Sequence, residues 1–236
     1  MHHDFDPERL RPHEFVCEPD PRSKMWVRID RAAGTIRAAE MSDHHSDIAG
    51  LSLHAGVPQD IAIQFETARN VYLYAWFVYR FYPVAEHQSL ACLELALRDR
   101  LKDDIQTGRV NSPVKKPMLR ALLKYAVAQG IVRNEGFATW RNRGQVNARA
   151  RVEMEKIREM SEKNLTEISW DDSNIQVTPA DLEWDYTGVL VDTLPFIRND
   201  YAHGSTNLHN LALHTIQIVC EIINQLYKPL DRNGAS

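Results

Sequence analysis

The chain has 236 residues, 44% of them hydrophobic and 25% charged, and a formal net charge of −4. This is the composition of a globular protein with one large core, or one core with extensions. It excludes a uniformly basic nucleic-acid coat and leaves room for a local basic patch. The three cysteines, Cys17, Cys92 and Cys220, are too few and too scattered for a disulfide framework or a zinc knuckle, as expected in a reducing cytoplasm.

The start, Met1-His2-His3-Asp4, carries no basic-then-apolar leader. Pro7, Pro12, Pro19 and Pro21 argue against an early helix. Met25, Val27 and Ile29 alternate with Trp26, Arg28 and Asp30, and Gly34 offers a turn before Thr35-Ile36-Arg37. Residues 1–57 therefore read as an irregular N-terminal extension that either contains a hairpin or packs loosely. His44 and His45 stand with Asp43 and Asp47. Adjacent histidines do not easily share one ion and no further ligand is suitably spaced, so a solvated loop is expected there and no metal site.

Pro58-Gln59-Asp60 opens a helix. Ile61, Phe65, Ala68, Tyr72, Trp76 and Tyr79 recur at helical steps, interrupted by Arg69. The run Val71–Tyr82 is apolar nearly all round. At about a dozen residues it is shorter than the ~20 a membrane span needs, so it is expected to be buried, with Pro83 ending it. The next helix buries Leu90, Leu93, Leu97 and Leu101. Glu94 lies on that face and needs a cation, either Arg98 one turn on or one from another helix. A helix over residues 117–129 and a short turn after Asn134 follow.

Arg141, Arg143, Arg149 and Arg151 form a basic run without an acid. It is either plain surface or a contact for an RNA backbone. The residues beyond alternate Glu with Lys and Arg, as on a solvated helix. Thr178-Pro179-Ala180-Asp181 is a helix start leading into Leu182, Tyr186, Val189 and Leu190. Pro195 is expected to kink this helix. A last helix over 208–227 places His209 and His214 on different faces. The sum is about six helices, an all-α class and an antiparallel helical bundle. No P-loop, GxGxxG, GxSxG or HExxH occurs.

Between the last two long helices lies Arg198-Asn199-Asp200-Tyr201-Ala202-His203-Gly204. This stretch resembles the motif of the HEPN superfamily (higher eukaryotes and prokaryotes nucleotide-binding): an Arg, a polar residue, a few positions, then a His at a helix junction. Residues 88–98, with Glu94, look like that family's acid-bearing helix. The resemblance covers roughly residues 58–228 and makes 58–230 the HEPN-like domain, with a charged insertion at about 131–177. It implies a metal-independent endoribonuclease without cofactor, working as a homodimer with a composite site. Arg198, Asn199 and His203 would be catalytic, and Glu94 and Asp200 supporting. Toxin–antitoxin and phage-defence settings, with an antitoxin or operon partner, belong to the same implication. So does the alternative, a non-catalytic module binding RNA, nucleotide or protein. Some members are inactivated through a Tyr two places after the His, where this chain has Ser205.

Residues five apart on a helix point about 140° from each other. Asn199 and His203 share a face; Arg198 and His203 do not. Their convergence needs either a break at Gly204 or a second subunit. In the purely structural alternative, Arg198 pairs with Glu94 or Asp200 and His203 bonds a backbone carbonyl.

Overall fold

The computed structural model describes residues 5–31, 33–202 and 208–228, with only the backbone at 172. A short antiparallel hairpin, β1 (Val27–Asp30) and β2 (Thr35–Ala38), precedes eight described α-helices. These are α1 (Met41–Ala49), α2 (Gln59–Tyr74), α3 (Phe81–Arg100), α4 (Lys102–Gln106), α5 (Leu119–Ala128), α6 (Ala138–Glu162), α7 (Tyr186–Ala202) and α8 (Ala212–Leu226). The fold is all-α apart from the hairpin. No described helix is long and apolar enough to cross a membrane.

The centre is α3, which packs on α2, α5, α7 and α8. Its stripe of Leu90, Leu93 and Leu97, with Leu101 just beyond, is wholly buried, as are Phe65, Tyr82 and Phe137. Each such side chain contributes about 1.5–3 kcal/mol by leaving water. Contacts between helices fix their directions. Gln88 bonds Gln64 and the Cys92 thiol donates to the carbonyl of Ile61, so α2 and α3 are antiparallel. The Tyr227 hydroxyl reaches Asp99 and Thr215 reaches Glu86, so α8 runs parallel to α3.

Several boundaries differ from the sequence reading. The helix begun at Pro58 stops at Tyr74, and Pro83 lies inside the first turn of α3, where a missing N–H costs nothing. The break falls instead in the turn at residues 75–80. The capping box of Thr178 and Asp181 opens only a single 3-10 turn, Pro179–Leu182. The α7 helix begins later, at Tyr186, where Asn134 and Asp185 accept from first-turn backbone amides. Pro195 sits inside α7 without ending it. His44 is on α1, not in a solvated loop. It is buried, stacked on Tyr72 at 4.5 Å, and its Nε2 bonds the Tyr72 carbonyl.

The described N-terminal residues are tied to the helices at several points. Asp20, 1% exposed, accepts from Arg22 at 2.8 and 2.9 Å and from the Tyr79 amide, and its own amide donates to Trp76. Burial alone would raise its carboxyl, but these donors outweigh it and hold the group below its usual range. Arg11 donates to the carbonyls of Phe77 and Glu18. The guanidinium of Arg69 leaves the α2 stripe to donate to the carbonyls of Ile48 and Ala49 at the end of α1, satisfying acceptors a helix end leaves open.

Candidate functional site

Arg198 and Tyr201 lie one turn apart on α7, and both face α3. Arg198 Nη2 is 3.5 Å from Glu94 Oε2, and Arg98 donates to Glu94 Oε1 at 2.6 Å. Both cations proposed from the sequence for Glu94 are therefore present. Two guanidiniums on one carboxylate leave one net positive charge. Glu94 is 12% exposed and Arg198 27%, so water screens this cluster only in part. The Glu94 Oε2 atom is buried and accepts no hydrogen bond, so its contact with Arg198 is an ion pair alone. Ala91, Glu94, Leu95, Arg98 and Arg198 line a shallow depression of about 250 Å³.

Asn199 is exposed, and its Oδ1 faces Arg198 Nη1 at 3.5 Å. Asp200 is half-buried and adds negative potential at Tyr201. His203 lies outside the described residues, so the geometry in hand is that of Arg198, Asn199, Asp200 and Glu94. Of the basic run, Arg151 is taken up by Asp181, which it contacts through Nε and Nη2 at 3.1 and 3.0 Å. Arg141 donates to the carbonyl of Glu135. Arg143 and Arg149 remain exposed on α6.

The best-built polar cluster beside the motif is one the sequence reading passed over. Glu86 of α3 is 2% exposed. Its Oε2 accepts from the Tyr201 hydroxyl at 2.6 Å, and its Oε1 from Thr215 of α8. His209 Nε2 is 2.8 Å from the same phenol and 3.6 Å from Glu86. Because His209 Nδ1 accepts from the Leu211 amide at 3.3 Å, the proton of a neutral ring belongs on Nε2 and points at the phenol. His209 thus precedes α8 rather than riding on it. Burial, then the bond to Glu86, pushes the Tyr201 hydroxyl well above its ordinary pKa, so it stays a donor. The signal was available: Glu86 stands four residues before Leu90, on the stripe that singled out Glu94. Among the described residues no group of three or more His, Cys, Asp or Glu could hold a metal ion.

Protein-family profiles, characterised proteins and solved structures were all compared with this chain, and none matches. The HEPN likeness therefore rests on the motif and its helical setting.

Proposed function

We propose that this chain is a metal-independent endoribonuclease of the HEPN type. The observation that carries the reading is the placement of Arg198, five residues before His203 in the motif, over Glu94 and Arg98 at a surface depression with a surplus positive charge. In the proposed reaction the 2′-hydroxyl of RNA attacks the adjacent phosphorus. The P–O5′ bond breaks, leaving a 2′,3′-cyclic phosphate and a 5′-hydroxyl. His203 takes or gives the proton, Arg198 binds the phosphoryl oxygens with paired donors, and Asn199 orients one of them. The substrate brings its own nucleophile, so the reading requires no metal.

One His per copy supplies either the acid or the base. A homodimer with a composite site supplies both. Val84, Ala91 and Leu95 form an exposed stripe on α3 beside the depression, a surface suited to covering by a second copy. A cytoplasmic setting and an antitoxin or operon partner extend the same proposal.

The decisive assay is cleavage of RNA in chelator, with end-group analysis. Arg198→Ala and His203→Ala should each abolish it while the helical signal persists. Cleavage surviving both substitutions sinks the reading. The second reading, a non-catalytic module binding RNA, nucleotide or protein, is favoured by the net charge of −4 and by Glu94 partly neutralising Arg198. It predicts salt-sensitive binding without turnover, and loss of about one unit of salt slope on Arg198→Ala.

A further inference from the structure

The α6 helix is 25 residues long, roughly 37 Å. It buries one face through Trp140, Gly144 and Ala148. On another face Val146, Met154 and Ile157 are 55%, 60% and 58% exposed. With exposed Ala150 they fall within about 80° of one another around the axis. Scattered exposed aliphatics need no explanation, but a stripe repeated along three turns does. Two charges border it, Arg149 and Glu153. They are one turn apart, yet neither forms an ion pair with the other or with any other described residue.

We infer that α6 pairs antiparallel with α6 of a second copy of this chain. The sequence along the helix is self-complementary when reversed. Setting Val146 against the second copy's Ile157 brings Ala150 within one residue rise, about 1.5 Å, of Met154, a small residue against a long one. The same register leaves each Arg149 on the same flank as the other copy's Glu153 and within one residue rise of it, about 1.5 Å along the axis, and the two-fold axis repeats every contact. A parallel pairing sets Arg149 against Arg149 and Glu153 against Glu153, which repel. RNA is a poorer occupant: three aliphatic side chains lie along the stripe, and a phosphate backbone has no use for them. This surface lies outside the Arg198 cluster and is a different face from the α3 stripe of Val84, Ala91 and Leu95, so a chain using both two-fold contacts assembles beyond a dimer, and the inference holds whether or not RNA is cleaved.

The test is pair-specific cross-linking of the full chain. Cys17, the exposed native cysteine, is replaced by Ser, and Val146→Cys is combined with Ile157→Cys. Mild oxidation should give a disulfide-linked dimer on a non-reducing gel. Sedimentation equilibrium supplies the second measurement. Arg149→Glu should weaken self-association at least tenfold or so, and Arg149→Glu with Glu153→Arg should restore it to within about threefold. All these positions are exposed, so the variants keep the fold. Absence of the cross-link overturns the inference whatever the measured mass. So does a double charge swap no tighter than Arg149→Glu alone. An Arg149→Glu variant that keeps its mass but loses RNA retention overturns it in favour of an RNA-facing helix.

Discussion

Tyr201→Phe isolates the buried cluster beside the motif. The substitution removes one oxygen and leaves the ring in place, so it makes almost no cavity. What it deletes is a donor at 2.6 Å from a carboxylate that is 2% exposed, together with the acceptor of His209 Nε2. A hydrogen bond to a charged group contributes about 1.5–3 kcal/mol, and a buried group left short of a partner adds to the loss. Glu86 retains Thr215 and the more distant His209, which limits the damage. The expected destabilisation is about 2–3 kcal/mol. In a chain of this size that corresponds to a drop of roughly 4–12 °C in Tm. Urea unfolding is the assay: the midpoint should fall at constant slope, because the exposed surface is unchanged. A loss under about 0.5 kcal/mol would refute the reasoning, since the phenol would then not be holding the carboxylate. Combining Tyr201→Phe with His209→Ala should cost less than the two separate losses added together, because both changes break one contact.

Burial is the main influence on His44 and lowers its pKa, against a smaller opposing effect of the Tyr72 carbonyl. Its folded form resists the proton that the unfolded chain accepts below about pH 6.5. Its contribution is fully present above that pH and is lost as pH falls through the lowered folded value, so His44→Gln should flatten the acid side of a Tm–pH curve. Arg69→Met should free the end of α1, raising proteolytic cutting within residues 45–56 and lowering stability by about 1 kcal/mol. Glu94→Gln should strengthen RNA retention by releasing Arg198, as read by filter binding at two salt concentrations, whereas the purely structural view of the ion pair predicts no change.

Helical periodicity makes the all-α class, the leucine face of α3 and the buried stripe of α2 readable from the amino-acid sequence alone. It also flagged Glu94 correctly, because a carboxylate on an apolar stripe must find a cation, and it found two. What failed were local signals that tertiary context overrides. Pro83 looked like a terminator because a proline stops a helix from its interior, but in a first turn it is harmless. Thr178 and Asp181 do form a capping box, yet it serves one turn of 3-10 helix. His44 looked solvated because its neighbours in sequence are polar, while its neighbours in space are Tyr72, Trp76 and Tyr82. Glu86 was legible and missed. Tyr201 and His209 were not legible as partners, because one lies on α7 and the other precedes α8, eight positions on, and no spacing rule links them.

The anchoring of Arg11 on Phe77 has a consequence for how the chain comes into being. The two residues are separated by 66 positions. A ribosome adding ~5–20 residues per second makes the carbonyl about 3–13 s after the guanidinium that will seek it. For that interval the N-terminal segment has no α2–α3 turn to settle on, and Trp26 lacks Trp76 and Tyr82 as packing partners. The N-terminal segment, though synthesised before α2 and α3, is thus among the last able to reach its final contacts. Slowing translation between codons 30 and 77 lengthens the interval in which these aromatics are open to chaperones or to other nascent chains.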